Sequence, residues 1–167
     1  KHIGRLNYPE TMSKGCSECR GKRSCGNWHA YAIELRHVVL ENETSFPFEG
    51  ALGSGCKIFY VGITTHTAEC RYNQHVARRN RNRSKFTCPC FTDEPELRAL
   101  KRPGKYVNKY RKSGGLSPFY FAHLNPVSRT DGETRKGMLE EAKKIAEQAE
   151  AALAEELRTE GHAVHYN

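Results

Sequence analysis

Two short β-prone runs, each carrying a tyrosine, set the frame for this chain. His29 to Arg36 (HAYAIELR) alternates, and Lys57 to Ile63 (KIFYVGI) is apolar almost throughout, with Gly62 near its end. Period-two alternation and enrichment in aromatic and β-branched residues are strand signals. A polar stretch rich in turn formers, 41–55, joins the two. Thr67 to about Arg79 then reads as a helix with Thr67 as its N-cap. Lys105 to Lys112 reads as a short basic helix stopped by Gly114-Gly115, and Pro118 to Leu124 (PFYFAHL) as a third strand. Thr130 and Glu133 have capping-box spacing, in which the hydroxyl and the carboxylate each satisfy a free backbone N–H. The helix they open is expected to run to about Glu160 and to end at Gly161, a good residue just past a helix. Met138, Ala142, Ile145, Ala149, Ala152 and Leu153 recur at helical spacing and predict its buried face. His162 to Tyr166 is a short extended tail. The order predicts an α/β (α+β) domain with a small mixed or antiparallel three-stranded sheet flanked by helices.

At 167 residues the chain fits one domain with a small appendage. Residues 1–27 read as an irregular arm, 28–167 as the main domain, and 80–104 as a loop insertion within it. No apolar run approaches the roughly 20 residues that span a bilayer, and mean hydropathy is −0.76. Lys1 to Glu10 is polar and has no apolar core of a leader. The expectation is therefore a cytoplasmic protein with no membrane partner.

The formal net charge is +8, and its distribution says more than the total. Residues 71–112 carry 13 Lys/Arg against 3 Asp/Glu, whereas residues 131–160 carry 5 against 9. A block that basic attracts a polyanion, and phosphate backbones are the commonest one. The bases are interleaved with Tyr72, Phe86, Tyr106 and Tyr110, rings that can stack on bases or sugars. Double-stranded DNA is the expected partner, with Arg78, Arg79, Arg81, Arg83, Lys85, Lys105 and Lys109 as contacts.

Seven cysteines, an odd number, argue against a secreted disulfide framework. Cys16-x2-Cys19 followed by Cys25 has zinc-knuckle spacing, and Cys88-x-Cys90 offers a second pair. Zinc takes four soft or borderline ligands in a tetrahedron. Three cysteines from the arm and one from the insertion would close a structural site that pins the two together, with His29 as an alternative fourth ligand. Cys56 and Cys70 read as ordinary core or surface residues.

Phe59-Tyr60-Val61-Gly62 matches the YIG half-motif of the GIY-YIG nuclease family, and Ala30-Tyr31 matches the last two positions of its GIY half. Arg71 follows Tyr60 by eleven residues, with His75 four further on, where that family places an Arg and a His or Tyr. Ala149-Glu150-Ala151-Ala152-Leu153 resembles the segment that carries the family's metal-binding Glu. Asn167 lies about where a downstream Asn is often found, and Leu157 to Val164 is similar to a branch of small bacterial members. His29 departs from the pattern, since the family has Gly there. The resemblance covers roughly residues 28–167 and excludes the arm and most of the insertion.

The resemblance implies a metal-dependent DNA endonuclease that hydrolyses a phosphodiester with Mg²⁺ or Mn²⁺, with restriction or defence as its setting. Tyr31, Tyr60, Arg71, His75 and Glu150 are the implied catalytic residues, and Glu150 the ligand of the divalent metal. The chemistry of these residues agrees. Arg71 and His75 share one helix face at i and i+4. A guanidinium can clamp a phosphate oxygen, and an imidazole can orient or deprotonate a water or a tyrosine. A carboxylate is the hard oxygen ligand Mg²⁺ takes. Of the two phenols, Tyr60 is favoured as base. Glu150 projects to the margin of the predicted apolar stripe beside Ala146 and Leu157, and Glu156 is the second choice. Taken singly, each residue also fits an ordinary structural role. A zinc-stabilised DNA- or RNA-binding module on a catalytically decayed scaffold is the alternative.

Overall fold

β1 (His29–Leu35) and β2 (Ile58–Thr64) pair antiparallel along their whole length, from His29 opposite Thr64 to Leu35 opposite Ile58. This computed structural model describes residues 15–50, 53, 55–76, 88–90, 104–129 and 135–166. Both strands are central in a four-stranded sheet of order β3-β1-β2-β4. That position accounts for their composition, because a strand covered on both faces must be apolar nearly throughout. β3 (Arg111–Leu116) pairs antiparallel with β1 across an irregular register, and β4 (Ala163–Tyr166) pairs parallel with β2. The sheet is mixed, as expected, but among the described residues it has four strands rather than three.

Two corrections explain the difference. Pro118 to Leu124 forms two short 3-10 turns instead of a strand. Proline opens the first, and Phe121 is driven inward as a buried core residue beside Gly15. The third strand lies just upstream, in RKSGGL, where Gly114-Gly115 had suggested a stop. Gly115 is needed there because a Cβ would lie 2.7 Å from the Glu34 carbonyl oxygen. The fourth strand is the extended tail, which adds to the free edge of β2.

Helix α1 (Val38–Asn42) follows β1, α2 (Ala68–Val76) follows β2, and α3 (Lys105–Tyr110) leads into β3. Thr67 caps α2, its Oγ1 accepting the Cys70 N–H at 3.1 Å, while the expected continuation to Arg79 lies outside the described residues. The long helix α4 (Arg135–Thr159) packs on β4, β2 and β1. It stops as anticipated. Gly161 takes φ +95°, His162 N–H reaches back to Leu157 O and Gly161 N–H to Arg158 O, the hydrogen-bond pair of a Schellman motif. The capping box at Thr130 lies outside the described residues.

The buried face of α4 differs from the predicted one. Ala142, Ala146, Glu150, Leu153, Ala154 and Leu157 are buried, whereas Ile145 is 44 % exposed and Ala152 faces solvent. So many alanines give a flat hydrophobic profile, and the packing partner rather than the sequence selects the stripe. Glu150 sits inside that stripe, not at its margin.

Candidate active site and metal centres

Directly opposed residues of an antiparallel pair share a face. The register therefore puts His29, Tyr31, Ile33, Tyr60, Gly62 and Thr64 on one side of the β1–β2 pair. Tyr31 lies across Gly62, where a Cβ would fall 2.5 Å from the Tyr31 hydroxyl. Glycine is thus required at the end of Tyr-Val-Gly so that the phenol can cross the neighbouring strand. The Tyr31 and Tyr60 rings stand 6.2 Å apart, and the His75 ring packs against both, at 6.1 Å and 5.6 Å.

His75 is fully buried at the end of α2 and is fixed from both ring nitrogens. The Gly104 N–H donates to Nδ1 at 3.0 Å, and Nε2 lies 3.0 Å from the Tyr31 hydroxyl. An Nδ1 that accepts leaves the proton of a neutral imidazole on Nε2, so His75 donates to Tyr31. Burial, then the cationic Arg71 and Arg111, press its pKa down to about 3 and keep the ring neutral. Of the two roles open to His75 in the sequence, this geometry fits orientation and not proton abstraction.

A cavity of about 460 Å³ opens in front of these groups, and Tyr31, Tyr60, Arg71 and Glu150 line it together with Lys143 and Glu147. Four of the five implied catalytic residues share one hollow, and His75 reaches it through Tyr31. Glu156 is half-buried and does not line it. Burial pushes Tyr31 well above the ordinary phenol value, and Tyr60 adds to this, while Arg71 acts in the opposite direction. Glu150, 6 % exposed, is raised to about 7 by burial and by the nearby Glu147. A buried carboxylate with a second acid close by is a hard-oxygen donor set that a divalent cation would relieve, so these residues fit such an ion. Lys143 and Glu147 were not legible as site residues, because both read as the solvated face of a charged helix.

Two further clusters have the composition of metal centres, and each could hold a metal ion. Cys16, Cys19, Cys25 and His29 form one, and His66, Cys70, Cys88 and Cys90 the other, with the ligand atoms of each set within 4.8 Å of one another. In the first, the Cys19 and Cys25 sulfurs are each 3.2 Å from His29 Nε2. In the second, His66 Nδ1 lies 3.2 Å from the Cys88 sulfur and 3.6 Å from that of Cys70, and Cys70 and Cys88 are 3.6 Å apart. A tetrahedral zinc would set such edges at about 3.6–3.8 Å. The crowded thiols also split their protons. The hydrogen bond from Cys70 lowers Cys90 to about 4, whereas that with Cys90 raises Cys70.

This arrangement corrects the expectation of one site shared between arm and insertion. The arm cysteines close their set locally with His29, the first residue of β1, and the insertion cysteines close theirs with His66 and Cys70. His29, the departure from the GIY half-motif, belongs to a cluster. Cys70 is not an ordinary core residue. His66 and Cys70, at i and i+4 across the start of α2, were the available signal. Cys56 belongs to neither set. The clusters flank the same end of the sheet, since His29 pairs with Thr64, two residues before His66. Ser24 Oγ donates to Thr65 O, and Asn125 bonds both Gly15 O and the backbone of Ala30, so arm and sheet are tied there.

Of the expected nucleic-acid contacts, Arg78, Arg79, Arg81, Arg83 and Lys85 lie outside the described residues, as does Asn167. Lys109 pairs with Glu43 at 3.3 Å, and Lys105 lies over the Tyr106 ring at 5.1 Å. A second, larger cavity of about 630 Å³ is lined by Arg36, Tyr72, Asn73, Lys109 and Arg111 among others. No described helix is long and apolar enough to cross a membrane. A scan of protein-family models, a search of curated proteins and a search of solved structures each returned no match to this chain.

Proposed function

We propose that the protein is a GIY-YIG-type endonuclease that binds double-stranded DNA and hydrolyses a phosphodiester bond with a divalent metal, and that zinc fills both cysteine–histidine clusters as a structural ion. The observation that carries the reading is the cavity in which Tyr31, Tyr60, Arg71 and Glu150 meet although they are dispersed over 120 positions of sequence. Arg71 clamps a phosphate oxygen and offsets the charge that develops on it. Tyr31 keeps its proton at neutral pH and, held by His75, donates into the cavity. Tyr60 is then the candidate base, and it is as the phenolate that it would accept the proton of an attacking water. Glu150, with Glu147 beside it, would hold Mg²⁺ or Mn²⁺, and that ion would supply Lewis-acid stabilisation of developing negative charge. The polar, cationic cavity between α2, α3 and β3 provides room for the DNA backbone.

Incubating the protein with supercoiled plasmid and Mg²⁺ or Mn²⁺ tests this. The wild type is expected to cut, and Glu150→Ala and Tyr60→Phe to lose at least about 100-fold of that activity while still shifting DNA on a gel. Undiminished cutting by both variants refutes the site. Intact plasmid with salt-sensitive DNA retention by the wild type selects the binding-module alternative. Metal analysis of the purified chain should return two zinc ions, one per cluster.

A further inference from the structure

The geometry points to the second cluster (His66, Cys70, Cys88, Cys90) as a positioning centre for the candidate catalytic cavity, acting on Arg71 through the side chain of Gln74. The inference rests on the cleavage reading for its consequence, though not for its geometry. Gln74 is 1 % exposed and sits on α2 three residues after Arg71 and four after Cys70. Its Oε1 accepts from Arg71 Nη1 at 3.0 Å. Its Nε2 lies 3.6 Å from the Cys70 sulfur and 3.4 Å from His66 Nδ1.

The amide can take only this orientation. A guanidinium offers donors and no acceptor, so the flipped amide would set NH₂ against N–H. With Oε1 held by Arg71, Nε2 must donate toward the cluster. A thiolate accepts such a bond far better than a thiol, and a bound metal keeps the ligand sulfur as thiolate. Metal in the cluster therefore strengthens the Nε2–H···S contact, which locks the amide, which in turn holds the guanidinium at the cavity wall. Hydrogen-bond partners outside a metal's own ligands commonly change activity about 10- to 100-fold when removed. Gln74 is accordingly a positioning residue.

Gln74→Met keeps the length and apolar bulk of the side chain and removes the polar contacts of both amide atoms. The variant is expected to retain two zinc ions per chain and wild-type DNA affinity, and to lower kcat about tenfold or more with KM little changed. The same substitution in an Arg71→Ala background should then have no further effect, whereas a merely structural role for Gln74 would cost the same in both backgrounds. The side-chain ¹⁵N resonances of Arg71 provide a readout that needs no cleavage. In the zinc-loaded wild type the guanidinium should rotate slowly and show resolved Nη signals, and in Gln74→Met these should average. If the wild type does not cut DNA, the cleavage reading falls and the resonance alone decides the relay. Arg71 signals unchanged by Gln74→Met, or equal losses of activity in both backgrounds, overturn it.

Discussion

His75 and Glu150 are each buried at a cost to stability, and each yields a prediction with a sign. His75 is neutral in the fold, with a pKa near 3 against 6.5 in the open chain. Between those values the unfolded state binds more protons, so this contribution is intact above about pH 6.5 and is lost as pH falls toward 3, by at most about 1.4 kcal/mol per pH unit. Acid also competes for the cysteine clusters, so the comparison must be with His75→Gln, which can still accept from Gly104 and donate to Tyr31. Urea unfolding of both between pH 4 and 7 should show a shallower decline for the variant; parallel curves would reject a neutral buried imidazole. Glu150 has the opposite chemistry and the same penalty. Its pKa is raised, so above the open-chain value its ionisation disfavours the fold. With the cysteine–histidine clusters left loaded, Glu150→Gln should therefore raise Tm at pH 8 without added Mg²⁺ and abolish the Tm increase that Mg²⁺ gives the wild type. A lower Tm without Mg²⁺, or an undiminished Mg²⁺ shift, would show that the acid is not a strained metal ligand.

At the level of elements, legibility followed how each one is held. β1 and β2 were readable because their side chains, apolar on both faces, do the packing. The start of α2 and the end of α4 were readable because Thr67 and Gly161 satisfy orphan backbone groups in ways that few residues can. β3 was not readable, since an edge strand with exposed side chains is held by backbone pairing and leaves no periodic trace. Pro118 to Leu124 misled for the converse reason: apolarity reports burial, and Phe121 is buried from a turn. The Tyr-Val-Gly element carries a third prediction. A methyl at position 62 would meet the Tyr31 hydroxyl at 2.5 Å. Gly62→Ala should cost about 1–3 kcal/mol in denaturant unfolding through overpacking, and should displace the phenol from His75 and lower cleavage even where the protein stays folded. A neutral effect on both would mean that Tyr31 does not cross the strand at this point.

For the whole molecule, charge and metal act separately. On the proposed reading DNA affinity should fall steeply with salt, because neutralisation of phosphates by the basic block 71–112 would release counterions from the DNA. Fluorescence anisotropy between 50 and 200 mM NaCl checks this, and a flat response would remove DNA as the partner. Cys25→Ser and Cys88→Ser should each lower zinc from two ions per chain toward one. The two should differ in consequence. Cys25→Ser loosens the arm where it meets β1, whereas Cys88→Ser acts beside α2 and should depress cleavage more than it depresses Tm. A loss of both ions in either variant would mean that the clusters fold as one unit.

The sequence by itself determined the central strand pair, the start of α2 and the end of α4, the basic block, the cysteine supply and four of the residues that line the cavity, Glu150 among them. These are local facts, written in side-chain periodicity, cap chemistry and spacing. Tertiary structure alone decided how the cysteines divide, which face of α4 is buried, and that Lys143 and Glu147 join Glu150 in lining the cavity. Those outcomes depend on distances between residues remote in the chain, and a ligand set or a helix face is chosen by what lies opposite it.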